Sequence, residues 1–269
     1  MKKVFAFVLA LVMVLALTAC GGGTDKKDDT VLVLGTSADY APFEFMYPDE
    51  NGEMVYGGID VSVAQFIAGE MGKELKIENM GFDYLLTSMD KGDFDMVIAA
   101  MEATEDRLEN ADFSDPYYTD VPPAILVKAS AADAYQTLAD FEGKSVGAQA
   151  ATTKLEIIAD SMPGANAVSL QSVLDLINEL VYDKVDAVVL DGGVAQQYAE
   201  ANSDLVIAAA SSELGEAAPY CVAVAKGDPK GLLPAINAAI AKMNQENKME
   251  AFIAEADALA NVAVEVSAD

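Results

Sequence analysis

Short apolar runs alternate along the chain with longer stretches in which hydrophobic residues recur at helical spacing. The run VLVLGTS, which begins at Val31, is rich in β-branched and aliphatic residues and predicts a strand. In the stretch IDVSVAQFIAGEMG, apolar residues recur at helical spacing from Ile59 to Met71, and Gly72 follows. This pattern predicts an amphipathic helix that ends at the glycine. Strands and helices in alternation are typical of α/β folds.

The remainder of the chain continues the alternation. Further strands are predicted over residues 75–80, 94–100, 145–149, 168–170, 185–190 and 220–225, and further helices over residues 82–92, 150–162, 173–182, 192–201, 229–245 and 248–258. The prolines of Val121-Pro122-Pro123, before the run AILVK, predict an extended crossover from one lobe to another. A return crossing is expected near residues 211–218.

Two passages share one pattern. GDFDMVIAAM and DKVDAVVLDG each follow a predicted amphipathic helix, contain Asp95 and Asp186 respectively, and continue as an apolar strand. Five residues after these aspartates the chain reaches Ala100 and Asp191. The equal spacing predicts two similar α/β lobes, each with polar groups at the carboxyl end of a strand. A ligand would then lie between the lobes.

The charge of the chain excludes some classes of partner. The formal net charge is -28, and it becomes -30 when residues 1–19, which carry only Lys2 and Lys3 as charged groups, are removed. Binding of nucleic acid or anionic lipid through a basic face is therefore not expected. The sequence contains no motif for a nucleophile, a phosphate loop or a metal cluster, so we expect no cofactor and no metal.

The first residues have the pattern of an export signal. Lys2 and Lys3 precede an apolar run over residues 4–17, which is shorter than the roughly 20 residues needed to span a bilayer. The following Leu17-Thr18-Ala19-Cys20-Gly21 resembles the lipobox of bacterial lipoproteins, and an ordinary signal peptide with a chance cysteine is the alternative. The resemblance implies removal of residues 1–19, a lipid on Cys20 and a flexible tether over residues 20–29.

Arg107 is the only arginine, and the chain has no histidine. No other side chain offers a planar, permanently charged fork to a carboxylate, although an exposed surface charge is the simple alternative. The segment FDMVIAAMEATEDRLENADFSDPYY around it resembles the first-lobe signature of bacterial extracellular solute-binding proteins, family 3, which serve ABC importers of polar amino acids. In that family this arginine clamps the α-carboxylate of the ligand.

Three further motifs extend the resemblance. The segment Tyr40 to Phe45 matches the family's Tyr-x-Pro-Phe-x-Phe motif, whose first aromatic packs on the ligand, and Phe82 resembles the second aromatic. Thr152 and Thr153 fall on the family's Gln-x-Gly-Thr-Thr motif, which helps to hold the carboxylate, and Asp191 matches the acid that accepts the α-ammonium. Without the resemblance, the aromatic residues would be read as part of the hydrophobic core, and Thr152, Thr153 and Asp191 as helix caps. The implied ligand-binding set is Ser37, Asp39, Tyr40, Phe82, Ala100, Glu102, Arg107, Thr152, Thr153 and Asp191.

The chain departs from the family pattern at three positions. Ala100 and Ala151 replace glycines, and Glu102 stands where the family has threonine or serine. A carboxylate at this position repels a ligand carboxylate unless it points away or meets a positive group. We hypothesise that Glu102 or Asp39 neutralises a cationic ligand side chain, as in lysine or arginine; a surface residue of which only the backbone N-H matters is the alternative.

The resemblance implies an α/β, two-lobed, periplasmic-binding-protein-like fold of type II, in which two mixed sheets flanked by helices are joined by a two-strand hinge. Residues 30–120 and 215–269 would form the first lobe and residues 121–214 the second. It implies a monomer outside the cell membrane, on the periplasmic side in a Gram-negative cell, that is anchored by lipid, closes on an amino acid and meets ABC permease subunits. The alternatives are a prephenate, cyclohexadienyl or arogenate dehydratase-like enzyme on the same fold, a receptor sensor module, and a surface lipoprotein without ligand.

Overall fold

The structure is a computed structural model that describes residues 30–267, with side chains described for residues 30–260. Cys20, the signal segment and the tether lie outside these residues. The strands are β1 (Val31–Thr36), β2 (Asp39–Tyr40), β3 (Glu44–Pro48), β4 (Met54–Gly57), β5 (Glu74–Asn79), β6 (Met96–Val97), β7 (Ala111–Phe113), β8 (Tyr118–Thr119), β9 (Ala124–Lys128), β10 (Ser145–Gln149), β11 (Asn166–Leu170), β12 (Ala187–Leu190), β13 (Leu205–Ile207), β14 (Pro219–Tyr220) and β15 (Ala223–Ala225).

The helices lie on the sheets and beside the cleft. They are α1 (Ile59–Glu70), α2 (Leu85–Asp90), α3 (Glu105–Asn110), α4 (Thr153–Ser161), α5 (Val173–Val181), α6 (Gly192–Ala201), α7 (Leu233–Gln245) and α8 (Lys248–Ser267), with short 3-10 turns at Phe82–Tyr84, Ala129–Ala134, Leu138–Phe141 and Ala209–Glu213. In α1 the predicted apolar positions Ile59, Val63 and Ile67 are buried, so this face of the helix packs on the core as its spacing requires.

Two five-stranded sheets have the same topology. The first has the order β5-β1-β6-β15-β7 and the second the order β11-β10-β12-β9-β13. In each sheet the first three strands are parallel and the fourth runs antiparallel to its neighbours. The prediction of two α/β lobes with mixed sheets is therefore confirmed.

The repeated aspartates make equivalent hydrogen bonds in the two sheets. Asp95 accepts a hydrogen bond from the backbone N-H of Val33 at 2.7 Å, and Asp186 accepts one from the backbone N-H of Ser145 at 2.8 Å. Each aspartate thus ties the start of its strand to the neighbouring parallel strand of its own sheet. The shared sequence pattern corresponds to a shared structural unit.

Two chain segments connect the lobes. The strands β8 and β14 pair antiparallel, with Thr119 opposite Pro219 and Tyr118 opposite Tyr220. The first sheet takes its fourth strand, β15, from the chain that follows the second sheet. The sequence predicted both the two-strand hinge and a discontinuous first lobe. The exact lobe boundaries remain a prediction.

Some elements differ from their predicted extents. The strand predicted over 94–100 is reduced to β6, because Ala100 adopts a positive φ of 45° and its N-H bonds to Asp60, which turns the chain away from the sheet. The predicted strand over 220–225 is divided between β14 and β15. Arg107 lies in the short helix α3 rather than in a loop, because the Thr104 hydroxyl accepts a hydrogen bond from its backbone N-H and caps that helix.

Candidate functional site

The carboxyl ends of strands from both sheets face one narrow cavity between the lobes. Its interior offers about 10 Å³ to the centre of a water-sized sphere, which is room for about one water molecule. Eleven residues line this cavity. Seven of them were predicted from the sequence, namely Ser37, Tyr40, Phe82, Ala100, Glu102, Thr152 and Asp191, and four were not, namely Glu44, Ala99, Gln149 and Lys154.

Arg107 is not among the residues that line this cavity, and it joins the two lobes behind the lining residue Glu102. Its Nη1 donates to the backbone oxygen of Glu102 at 2.9 Å and to Glu102 Oε2 at 3.0 Å, and its Nη2 donates to the backbone oxygen of Ala151 at 3.1 Å. The guanidinium carbon lies 5.3 Å from the centre of the Phe82 ring. The side chain is only 11% exposed, so the alternative of a surface charge does not describe it.

Glu102 lies inside the cleft with both carboxylate oxygens bonded. Oε2 faces Arg107, and Oε1 accepts from the Thr153 hydroxyl at 2.9 Å and from Lys154 Nζ at 2.8 Å. Burial alone would raise the pKa of Glu102, but Lys154 and Arg107 outweigh it and lower that pKa to about 2. The surface reading of Glu102 is therefore wrong, and the positive group it required is present.

Asp191 lines the cavity from the second lobe. Its Oδ1 lies 2.5 Å from Lys154 Nζ, and its Oδ2 accepts from the Tyr40 hydroxyl at 2.7 Å. Although Asp191 occupies the N-cap position of α6, its side chain makes no capping hydrogen bond. Its carboxylate is directed across the cleft, towards the first lobe, rather than to its own helix.

Lys154 was not among the sequence-predicted site residues. It lies in the first turn of α4, is 6% exposed, and contacts both Glu102 and Asp191. Burial alone would lower the pKa of Lys154, but Asp191 and Glu102 outweigh it and raise that pKa. The available signal was indirect: a glutamate beside Arg107 needed further positive charge, and Lys154 directly follows Thr153 of the predicted motif.

The other predicted residues lie around this cluster in different ways. The Thr152 hydroxyl donates to the backbone oxygen of Gln149 at 2.7 Å, so it stabilises its own turn rather than capping α4. Asp39 Oδ2 accepts from the backbone N-H of Val173 at 2.9 Å, which links the lobes beside the cavity. Ser37 lies in the cavity wall and also donates to Asp39 at 3.4 Å.

A buried carboxyl pair supports the loop behind the cavity. Asp60 accepts hydrogen bonds from the backbone N-H of Ala100 at 2.6 Å and from the Tyr117 hydroxyl at 2.7 Å. Burial raises the pKa of Asp60 to about 6. Burial and the neighbouring Asp60 raise the pKa of Glu44 well above its ordinary value. Asp60 thereby fixes Ala100, and with it the chain that leads to Glu102.

Within residues 30–267, no helix combines the length and the hydropathy that crossing a bilayer requires. Across the same part of the chain, no group of three or more acidic, cysteine or histidine side chains is arranged to hold a metal ion.

Comparison with known proteins gives consistent matches over most of the chain. Residues 32–255 match the bacterial extracellular solute-binding proteins, family 3. The arginine-binding extracellular protein ArtP of Bacillus subtilis (strain 168) is 31% identical over 254 residues, which covers 93% of this chain and 96% of that protein.

Solved structures resemble the fold as well as the sequence. An amino acid ABC transporter substrate-binding protein from Streptococcus pneumoniae, bound to L-arginine, has a TM-score of 0.80 at 34% identity and covers 86% of this chain and 95% of its own. An ancestral amino-acid-binding protein, described as a precursor of cyclohexadienyl dehydratase, has a TM-score of 0.73 at 30% identity and covers 83% of this chain and 93% of its own.

Proposed function

This chain belongs to the bacterial extracellular solute-binding proteins, family 3, and from that membership and its site geometry we propose that it captures a polar amino acid for an ABC importer. The ligand would bind between the lobes, and closure of the hinge would enclose it. ArtP of Bacillus subtilis is an arginine-binding protein, and the similar Streptococcus pneumoniae structure holds L-arginine. Both relatives support a basic amino acid as the first ligand to test.

One observation carries the proposal. Asp191 of the second lobe lines the cavity, Arg107 of the first lobe lies directly behind the lining residue Glu102, and each already contacts a group of opposite charge. A free amino acid has one carboxylate and one ammonium, the two groups for which this pair is suited. Charge-assisted hydrogen bonds contribute roughly 1.5 to 3 kcal/mol each, so a buried zwitterion can select the closed form.

The aromatic residues and the extra acids suit the ligand side chain in this proposal. Phe82 and Tyr40 line the cavity and would cover that side chain, while Thr153 would share the carboxylate with Arg107. Glu102 and Asp39 remain the two acids proposed for a cationic side chain. Glu102 has two cations of its own and Asp39 has the Val173 N-H, so either acid must exchange a partner to take that role.

Isothermal titration calorimetry with L-arginine, L-lysine, L-glutamine and L-cystine tests the function. We expect at least one to bind with a dissociation constant near the micromolar range, about -8 kcal/mol. Arg107→Gln should weaken that binding roughly 10-fold to 100-fold, because it removes a charge-assisted contact to the carboxylate. Glu70→Gln, at a partly exposed position of α1 that does not line the cavity, is the control and should leave binding unchanged.

Two results would contradict this. No heat with any of the four amino acids at millimolar concentration would remove the amino-acid function, and equal affinity of Arg107→Gln and the unaltered protein would remove the role of the guanidinium. A preference among the four ligands that is the same in Glu102→Gln would exclude Glu102 as the partner of the ligand side chain.

An enzyme on this fold is the second candidate, because a precursor of cyclohexadienyl dehydratase is among the similar structures. A dehydratase needs a general acid that is protonated near neutral pH. The pKa of Glu102 is lowered to about 2, chiefly by Lys154 and Arg107 against the effect of burial, so this residue is ionised there. Glu213, the other sequence candidate, accepts from the Leu138 N-H within the second lobe. Neither of these two candidates supplies that acid, whereas Glu44, which lines the cavity with a raised pKa, could. Incubation with prephenate and arogenate decides between the functions: the binding function expects both to be returned unchanged.

The location and assembly of the protein complete the proposal. We expect export, lipidation at Cys20 and a monomer at the outer face of the cell membrane that docks on permease subunits. The lobes would comprise residues 30–120 with 215–269, and residues 121–214. In a lipoprotein-producing host, the unaltered chain should incorporate labelled palmitate and Cys20→Ala should not. Labelling of both would place the lipid elsewhere.

A further inference from the structure

We infer that Glu102 and Lys154 form an internal substitute for a bound amino acid, which closes the cleft from within and sets the affinity for the ligand. This inference rests on the proposed function, since it assigns two side chains of the protein to the positions that the ligand's charged groups would take. Glu102 supplies the carboxylate and Lys154 the ammonium.

The contacts of Glu102 match those expected of a ligand carboxylate. Arg107 donates to its Oε2 at 3.0 Å, and the Thr153 hydroxyl donates to its Oε1 at 2.9 Å. Arg107 is in the first lobe and Thr153 in the second, so the Glu102 side chain joins the lobes as a bound carboxylate would. It is 8% exposed, which makes these contacts strong ones.

The contacts of Lys154 match those expected of a ligand ammonium. Its Nζ lies 2.5 Å from Asp191 Oδ1, and it also donates to Glu102 Oε1 at 2.8 Å. The four side chains therefore alternate in charge from Arg107 through Glu102 and Lys154 to Asp191. Every charge in the row has an opposite neighbour, and the row as a whole is neutral.

The size of the cavity makes this pair and a ligand mutually exclusive. With both side chains in place, the interior has room for about one water molecule, whereas an amino acid occupies the volume of several. Glu102 and Lys154 must therefore leave their positions before the ligand enters. Lysine has a flexible four-carbon stem, so its ammonium can follow the opening lobe into solvent.

This competition predicts which ligands can enter. A zwitterion brings both a carboxylate for Arg107 and an ammonium for Asp191, so it replaces both internal groups at once. A molecule with only one of these charges leaves a buried charge without a partner, which is strongly unfavourable. If the internally closed form dominates, the apparent dissociation constant exceeds the intrinsic one by the reciprocal of the open fraction.

The test is the double variant Glu102→Ser, Lys154→Gln, with Glu70→Ser, Lys242→Gln as its control. The control removes an ion pair of 2.8 Å that lies outside the cleft. We expect the double variant to bind L-arginine or L-glutamine at least about 10-fold more tightly in calorimetry. Small-angle X-ray scattering without added ligand should give it a larger radius of gyration than the unaltered protein, and L-arginine should reduce that radius.

The outcomes separate the two levels of the argument. If the unaltered protein binds an amino acid and the double variant binds it equally or less tightly, the inference alone is overturned. If neither protein binds any of the four amino acids, the proposed function fails and the inference fails with it. Circular dichroism verifies that the double variant folds. If it does not fold, the single variant Lys154→Gln, which retains Glu102 on Arg107, takes its place. That variant should gain affinity over the unaltered protein, by less than the gain expected for the double variant.

Discussion

Four ionisable side chains of alternating charge cross the cleft, and each of them is paired with another member of the set rather than solvated. Arg107 could be predicted from the sequence through the resemblance of its segment to the family's signature, since a lone arginine by itself is as readily a surface charge. Asp191 was predicted by the same resemblance and also follows a repeated strand pattern. Lys154 could not be identified from its local pattern, since a lysine in the first turn of a helix has no local feature that separates a buried cation from a solvated one; the position after Thr153 gave only an indirect signal. Only the approach of the second lobe makes it a partner of Glu102.

Replacement of Glu102 should change the response of the protein to acid. The pKa of Glu102 is lowered to about 2 because Lys154 and Arg107 outweigh burial. The ionised Glu102 therefore stabilises the fold fully when the pH is above the ordinary pKa of a glutamate, and this stabilisation is lost as the pH falls towards 2. We expect Glu102→Gln to reduce the free energy of unfolding at neutral pH by roughly 1 to 3 kcal/mol and to flatten this acid-side decline.

Urea denaturation over that pH range is the measurement. Glu156→Gln, an exposed position in α4, is the control and should follow the unaltered protein. An acid-side decline of the same steepness in Glu102→Gln would show that other carboxyl groups cause it.

The carboxyl pair behind the cavity should have the opposite pH dependence. Burial raises the pKa of Asp60 to about 6, and burial together with Asp60 raises the pKa of Glu44 well above its ordinary value. The folded protein thus retains protons that the unfolded chain releases, so stability falls as the pH rises from about 4 through 6. Glu44→Gln should make that fall shallower and should stabilise the protein at neutral pH by roughly 1 to 3 kcal/mol.

The free energy of unfolding, determined by denaturant titration from about pH 4 to about pH 7, checks this result. Glu53→Gln, an exposed glutamate on the same lobe, serves for comparison. A slope that Glu44→Gln leaves unaltered would mean that the buried pair does not retain the proton.

At the scale of elements, the sequence pattern shared by the two lobes predicted the architecture better than the local patterns predicted the bounds of single strands and helices. Asp95 and Asp186 indicated two related units, and they make equivalent hydrogen bonds in two sheets of one topology. The length of β6 could not be predicted, because the Asp60 carboxylate, distant in sequence, removes Ala100 from the sheet. Helix α3, where no element was predicted, had a usable signal in Thr104 followed by two acids.

The start of α6 should tolerate no side chain at its first residue. A Cβ on Gly192 would lie 2.3 Å from the Pro122 backbone oxygen and 2.6 Å from Val121. The helix and the crossover segment can therefore approach this closely only because glycine has no side chain. Gly192→Ala should lower the free energy of unfolding by roughly 1 to 3 kcal/mol through overpacking.

Thermal and denaturant unfolding give the answer. Gly69→Ala in α1 is the matched control, because its Cβ would meet nothing within 4 Å and alanine is the better helix former. That control should stabilise the protein slightly. A Gly192→Ala protein as stable as the unaltered one would show that the crossover can move aside.

The molecule as a whole closes through contacts beyond the charged row. Gln171 of the second lobe donates to Asp83 at 2.9 Å and to the Tyr84 hydroxyl at 3.2 Å, and Asp39 accepts from the Val173 N-H. These contacts lie at the edge of the cleft, where opening of the hinge would break them. They follow from how the lobes meet, and no local sequence pattern predicted them.

The Val173 amide should therefore report on opening of the cleft. It is at the first position of α5, where backbone N-H groups have no partner within the helix, and it donates to Asp39 of the facing lobe at 2.9 Å. Asp39→Ala should accelerate its hydrogen exchange about 10-fold, the loss expected for one charge-assisted hydrogen bond. The Leu176 amide, bonded to the Ser172 oxygen within the same turn, should keep its rate. Equal acceleration of both amides would indicate fraying of α5 instead.

The strand β15 separates β6 from β7 in the first sheet, yet it follows the entire second sheet in the chain. During synthesis, or during passage through a membrane pore with the N-terminus leading, residues 124–207 emerge before it. The second sheet can thus form while β6 and β7 still present unpaired edges, and such edges associate readily with other chains. A newly made molecule is consequently most vulnerable to aggregation in its oldest part, until residues near its C-terminus have arrived.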